Sequence, residues 1–348
     1  MKVLLLRLSS LGDVLHTLPA LTDLQAARPD VLLDWLIEPA FAPVAAWHPL
    51  VRRSLAFSLR QRPRGGTAFL RTVLRLRREL RAAAYDLVVD SQGLYKSAVL
   101  ARLAGAQVAG LAARSAREPL ASLLYGQRHA VPWGPTAIQR NRELFAQIFA
   151  YPRPEGEADY GLARQAERWR AAATEDFEFL RRGAPFVLGL HATSRVWQNK
   201  EWPVGHWIAL ARELAGEGYQ LLLPAIDERE RLRVESIANA APNVVALPPL
   251  KLEDLGRIMV AAKAFVGMDT GLSYLAAALG LPGVTIYGPT PPEQASRQIA
   301  VLQSPESCAP CGSRRCRRIA APGEPIPCQQ ALLPEQVWMA LRPSLAVA

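Results

Sequence analysis

At 348 residues the chain is long for a single domain and suits two of ordinary size. Half of it is hydrophobic and 21% is charged, which permits buried cores and excludes a disordered chain; no window approaches the roughly 18 uninterrupted apolar residues of a membrane span. The net charge of +10 calls for an anionic partner without naming its kind.

The opening stretch, MKVLLLRLSSLGD, has an apolar run from Val3 to Leu6 that Arg7 cuts short. It is too brief for a signal peptide and reads as a buried strand, so the protein is expected in the cytoplasm. Residues 3–8 are the first expected strand, 14–27 the helix behind it, and 32–37 the second strand. Between residues 50 and 84 stand ten arginines and a single acid, Glu79. Much of this run falls on a helix expected over 69–84, followed by a strand at 87–90. The run lacks the interleaved aromatics of a single-strand nucleic-acid binder and any helix-turn-helix or zinc-finger spacing. A phosphorylated lipid head group or an anionic membrane surface fits at least as well.

Helix breakers gather from Tyr151 through Pro152, Arg153, Pro154 and Glu155 to Gly156, the expected exit from the first domain. A second α/β cycle follows. Strands are expected at 186–190, 219–223, 264–267 and 283–287, and helices at 203–216, 229–240, 271–279 and 334–341. Two such halves in tandem, divided as 1–160 and 161–348, predict parallel sheets covered by helices, with ligands at the carboxyl ends of strands in a cleft. No G-x-G-x-x-G follows the first strand and no G-x-x-x-x-G-K-[ST] occurs, which removes most of the case for a nicotinamide cofactor or P-loop hydrolysis.

Three loops carry polar residues suited to chemistry. In the first, Arg7 to Val14, Ser9 or Ser10 can cap a helix, Gly12 permits close approach, and Asp13 sits in the first helical turn. An acid there is either a catalytic group or compensation of the helix dipole. The second, Asp269-Thr270-Gly271-Leu272-Ser273, opens a helix whose free amides suit a phosphate. The third runs from His191-Ala192-Thr193-Ser194-Arg195 to Lys200-Glu201-Trp202-Pro203, where Lys200 offers a point charge to a diphosphate. No D-x-D metal signature accompanies these loops. All four cysteines, Cys308, Cys311, Cys316 and Cys328, fall in the last fifty residues. Their spacing matches no common zinc module closely and leaves a metal clip and free thiols both open.

The stretches RLSSLGDVLHTLPAL, DSQGLYKSA, REPLAS, RELFA, HATS with Lys200-Glu201-Trp202-Pro203 and His206-Trp207, and DTGLSYLAAAL with YGPT run in order from residue 1 to about 295. Together they resemble the lipopolysaccharide heptosyltransferases of glycosyltransferase family 9, in particular the type that adds the first heptose. The resemblance implies a GT-B fold, two Rossmann-like α/β domains facing a central cleft, with the acceptor bound by the first domain. The second domain, with the cysteine-containing tail and final helix, then binds ADP-L-glycero-β-D-manno-heptose. It further implies inverting, metal-independent transfer to Kdo2-lipid A without a cofactor. The enzyme would be peripheral on the cytoplasmic face of the inner membrane and would have no nucleic-acid partner.

Matched residue by residue, the resemblance makes Asp13 the general base and places Ser10 and Gly12 in the acceptor loop around it. Thr193, Ser194 and Lys200 grip the donor diphosphate, with Lys200 also serving the departing charge. Asp269, Thr270, Gly271 and Leu272 form the heptose and phosphate loop. Leu250 lines the adenine pocket, and Glu230 binds ribose, with Glu228 two residues away as the alternative. Arg60, Arg62, Arg64 and Arg117 meet the acceptor's phosphates and carboxylates. Two features depart from the family pattern: Tyr274 stands where DTGLSH would place histidine, and the cysteine tail is closer to that of related heptosyltransferases. Transfer of the second core heptose therefore stays open beside the first. A basic nucleic-acid-binding protein is the rival from another class, though it leaves the Asp13 and Asp269 loops unexplained.

Overall fold

The computed structural model describes residues 1–59, 66–134, 136–172, 177, 184–192, 196–319 and 324–346. Arg60, Arg62, Arg64, Thr193 and Ser194 lie outside these described residues. The chain divides into two compact units, Met1–Leu162 and Ala163–Ala348.

The first unit is built on β1 (Lys2–Leu6), β2 (Leu32–Ile37), β3 (Val51–Ala56), β4 (Leu87–Asp90), β5 (Gln107–Leu111) and β6 (Gln127–His129). These form one sheet in the order β3-β2-β1-β4-β5-β6, parallel throughout. The second unit holds β7 (Phe186–Leu190), β8 (Gln220–Leu223), β9 (Val244–Ala246), β10 (Ala264–Met268), β11 (Gly283–Tyr287) and β12 (Ile299–Gln303). Its order is β12-β11-β10-β7-β8-β9, again parallel. From its β9 edge, this sheet has the winding of the first. Each sheet reverses direction once, between β1 and β4 and between β7 and β10, and such a switch point opens a crevice at the strands' carboxyl ends.

Parallel strands covered on both faces must be apolar along their whole length. The burial of every residue in β4, β7, β10 and β11 meets that demand. In the first unit, Leu4, Leu6 and Val88 pack with Leu76 and Leu80 of the helix Gly66–Ala82 and with Ala98 and Ala101 of the helix Tyr95–Arg102. In the second, Trp207, Leu210 and Leu214 of the helix Val204–Gly216 join Val187, Val266 and Ile286, with Val337 and Leu341 from the helix Pro334–Ala346. Trp202 packs edge-on against Trp207 at 5.2 Å between ring centroids and donates its indole N–H to Leu332 O at 2.8 Å. Burial of side chains this large contributes about 1.5–3 kcal/mol each.

Two expected boundaries shift. The first strand ends at Leu6, because Arg7 and Leu8 already turn into the site loop. The single helix expected over 14–27 is two, Leu11–Leu15 and Leu18–Ala27; Pro19 lacks an N–H and starts the second helix afresh. The arginine run is also not one free patch. Arg52 and Arg53, on β3, pair with the fully buried Asp34 at 2.7 and 3.1 Å. Along Gly66–Ala82, Val73, Leu76 and Leu80 face inward while Arg71, Arg75, Arg77, Arg78 and Arg81 are exposed. No helix among the described residues is long and apolar enough to cross a membrane.

Candidate active site

At the first switch point, the loop after β1 delivers Arg7 and Asp13 and the loop after β4 delivers Ser91 and Gln92. Leu8 N–H donates to Gln92 Oε1 at 3.0 Å, and the Arg7 guanidinium donates to Ser91 O at 2.8 Å. Ser10 precedes the short helix Leu11–Leu15, and both its backbone N–H and its hydroxyl donate to Asp13 Oδ2 at 3.0 Å. Asp13 thus ties Ser10 to the first turn of that helix. Its other oxygen, Oδ1, faces Arg117 at 3.6 Å and Arg7 at 3.9 Å. Burial pushes the Asp13 carboxyl up, but Arg7, Arg117 and the Ser10 N–H outweigh it and hold the pKa below the usual value.

These groups open on a cavity of about 230 Å³ that Ser115, Trp133, Arg140 and Asn141 also line. Arg140 lies 3.9 Å over the Trp133 ring and donates to Ser115 O at 2.9 Å, so its cation is held in place from two sides. Burial, then the charges of Arg117 and Arg7, lowers the Arg140 pKa, a sign that the guanidiniums repel one another. Three guanidiniums, Arg7, Arg117 and Arg140, against the one carboxylate of Asp13 give this cavity an excess of positive charge. A second acid nearby, Asp90, is buried and accepts from Ser97 Oγ and Tyr125 OH, both at 2.8 Å. Burial pushes its carboxyl up, so it serves as internal support. Gly110 makes that support possible, since a Cβ there would lie 2.6 Å from the Tyr125 ring.

At the second switch point, the loop after β7 carries Lys200 and the loop after β10 carries Asp269. Lys200 Nζ lies 2.5 Å from Asp269 Oδ2 and 4.4 Å over the Trp197 ring. Thr290 Oγ1 donates to the same carboxylate at 2.6 Å, and Tyr274 OH donates to Asp269 Oδ1 at 3.1 Å. The residue that departs from the family histidine therefore orients Asp269. Burial, then the Asp269 charge and Tyr287, raises the Tyr274 phenol well above its ordinary value, so it keeps the proton it donates. Thr270 precedes the helix Gly271–Ala278, which also contains Leu272, and its Oγ1 is buried without a partner among the described residues. Gly267 lets this helix sit close: a Cβ there would lie 2.2 Å from Ser273 Oγ, which donates to Met268 O.

Of the two glutamates considered for ribose, Glu228 is exposed and paired with Arg231, whereas Glu230 is buried and accepts from Ile226 N–H at 2.9 Å. Both begin the helix Glu228–Ala238, and only Glu230 turns back toward the end of β8. Leu250 is half-buried between β9 and the helix Leu252–Ala261. The structure brings Ser10, Gly12, Asp13 and Arg117 together in the first unit, and Lys200, Asp269 and Thr270 in the second. Arg7, Gln92, Trp133, Arg140 and Thr290 had no assigned role in the sequence reading. Arg7, Gln92 and Thr290 fall within RLSSLGDVLHTLPAL, DSQGLYKSA and YGPT, and Arg140 lies two residues before RELFA.

Two doubly wound parallel domains in tandem, each with its polar groups at the switch point, are the halves of a GT-B glycosyltransferase. Residues 73–320 match the model of glycosyltransferase family 9 (heptosyltransferase), and the chain belongs to that family. It is 41% identical to lipopolysaccharide heptosyltransferase 1 of Pseudomonas aeruginosa over 322 residues, 91% of this chain and 87% of the relative. To lipopolysaccharide heptosyltransferase 1 of Escherichia coli K12 it is 40% identical over 295 residues, 84% of this chain and 89% of that protein. Among solved structures, E. coli heptosyltransferase WaaC with ADP-2-deoxy-2-fluoro heptose aligns with a TM-score of 0.80 at 35% identity. That alignment covers 97% of this chain and 98% of that one.

Proposed function

We propose that the chain transfers a heptose from ADP-heptose to a Kdo hydroxyl of Kdo2-lipid A, adding the first heptose of the lipopolysaccharide inner core. The observation that carries this reading is Asp13 among Arg7, Arg117 and Arg140. A sugar acid brings both a hydroxyl for the carboxylate and a carboxylate for the guanidiniums. Asp13 is ionised at neutral pH and accepts the acceptor proton as the oxygen attacks the anomeric carbon, with inversion. Its low basicity is adequate because that hydroxyl becomes strongly acidic as its new bond forms. General-base help of this kind supplies about 10²–10⁴ in rate.

On the donor side, the negative charge that develops on ADP is met by Lys200 and the first amides of the helix Gly271–Ala278. Under this reading an active-site metal ion is dispensable. Glu230 takes the ribose hydroxyls, and Leu250 lines the adenine pocket. Family membership and the 41% identical relative support the reaction, and the cation excess around Asp13 supports the anionic acceptor.

The same reading puts the protein at a membrane surface, where a lipid acceptor resides. On the helix Gly66–Ala82, Leu70 is 56% exposed and Leu74 39% exposed. They share an i, i+4, i+7, i+11 stripe with Arg77 and Arg81, the pairing of apolar and cationic groups that suits an anionic bilayer interface. The deciding experiment is mass spectrometry of Kdo2-lipid A after incubation with ADP-heptose and the purified protein. A gain of one heptose is expected. No gain on this acceptor, with transfer to an already heptosylated one, would reassign the protein to the second core heptose.

A further inference from the structure

The four cysteines are the chain's full complement, and all four line one cavity of about 270 Å³ in the second unit. Cys308, Cys311 and Cys316 come from the segment after β12, and Cys328 from the short helix Pro327–Gln330. None is in a disulfide; Cys308 and Cys311 are exposed and Cys328 is buried. Arg317 and Arg318 stand in the same wall, and the Arg318 guanidinium lies 3.7 Å from Cys308 Sγ. Four thiols beside two cations do not make an apolar core.

We propose that this cavity is a tetrathiolate site for a soft transition-metal cation, zinc or ferrous iron, held by Cys308, Cys311, Cys316 and Cys328. Thiolate sulfur selects such ions, and the two-residue gap between Cys308 and Cys311 suits a shared tetrahedral centre. Each thiol that binds releases its proton. A divalent ion with four thiolates carries two net negative charges, which Arg317 and Arg318 are placed to offset. As the side chains stand, no three of the described His, Cys, Asp and Glu residues close on one ion. Binding therefore draws the exposed Cys308 and Cys311 inward.

The site would be structural, because its loop is tied to the donor crevice at two points. Asn199 Nδ2 donates to Ser313 O at 2.8 Å, and Gly312 N–H donates to Pro289 O at 2.7 Å. Asn199 and Pro289 are the immediate neighbours of Lys200 and Thr290, whose side chains both hold Asp269. A closed metal loop would fix the backbone from which those two groups reach.

The test uses the full chain, purified with reductant and without chelator. Elemental analysis is expected to find about one zinc or iron per chain. Cobalt(II) added to metal-stripped protein should give the sulfur-to-cobalt charge-transfer band and the intense visible bands of a tetrahedral thiolate site. Thiol titration of the folded chain should find the exposed Cys308 and Cys311 reactive without metal and protected with it. The exposed pair changed together, Cys308→Ser with Cys311→Ser, should lower cobalt affinity at least tenfold while far-ultraviolet circular dichroism stays unchanged. Absence of the cobalt–thiolate band in the unsubstituted chain overturns the proposal without reference to any variant. So does a metal content that survives the double substitution, or a Cys308–Cys311 disulfide formed in place of metal binding.

Discussion

The two units place their polar residues at the same point of the same winding, yet they distribute charge in opposite ways. In the first, Asp13 stands at 3.6 and 3.9 Å from guanidiniums and spends its short hydrogen bonds on Ser10. In the second, Asp269 is saturated at 2.5–3.1 Å by Lys200, Thr290 and Tyr274. A carboxylate with one oxygen still open to a cavity can accept a proton. A carboxylate whose oxygens are both occupied can only hold other groups in place. On the function proposed above, one topology thus yields a base in one half and a positioned cation in the other.

The sharpest way to break this comparison is to neutralise the first acid. Asp13→Asn should lower kcat by at least about 10² with little change in donor KM, since a general base acts on the chemical step. Steady-state kinetics that left more than a tenth of kcat would remove Asp13 from the chemistry. Next in size is Lys200→Met, expected to cut kcat/KM for ADP-heptose by about 10–100-fold through loss of a charge-assisted hydrogen bond. An equal loss measured for acceptor and donor saturation alike would place Lys200 outside the donor site.

The units also share a feature that sharpens the contrast: each buries one neutral imidazole, with a pKa lowered to about 4 by burial. His48 accepts from Leu50 N–H at 3.2 Å, and His191 Nε2 meets Pro224 O at 2.8 Å. Between pH about 4 and the ordinary histidine value near 6.5, the unfolded chain binds protons that the folded chain refuses. Stability should therefore fall as pH drops through that window, by roughly 1 kcal/mol per pH unit for each imidazole. Thermal melts of wild type and His191→Gln from pH 7 to 4 would show it, the variant having the shallower slope. The smallest effect concerns Arg117. Asp13 must be ionised to act, so activity fails as pH falls through its depressed pKa. Removing one lowering charge in Arg117→Ala should move that acid limb upward in a kcat–pH profile. An unmoved limb would leave the tuning of the base to Arg7 and the Ser10 N–H.

Much of this was legible from residues. The strands 32–37, 87–90, 186–190 and 283–287 are runs of side chains buried throughout except Leu32, and the structure reproduces those bounds. β3, β5, β6, β9 and β12 escaped notice: Arg52, Arg53 and Arg128 hide the apolar period of β3 and β6, and β9 has only three residues. Asp13, Lys200 and Asp269 were visible because each sits where an apolar strand breaks into polar residues. Arg140 was not: it lies on a helix far along the chain, and only folding brings it to the cavity of Asp13; Thr290 stands in YGPT, but only folding shows that it binds Asp269. The arginine run was misleading in part, since a composition count cannot distinguish Arg52, bound to buried Asp34, from Arg77 in solvent.

If Lys200 meets the donor diphosphate, as proposed above, its contact with Asp269 also acts as a filter on what enters the donor crevice. Any anion that seeks the ammonium must displace or share it with a carboxylate already 2.5 Å away. Inorganic phosphate offers one charged group for that exchange and gains little by it. A sugar diphosphate brings two phosphates, a nucleoside and a hexopyranose ring, so its other contacts can offset the competition. Under that reading an internal competitor of this kind weakens the binding of every anion slightly, and most of all those with no other contacts to offset it.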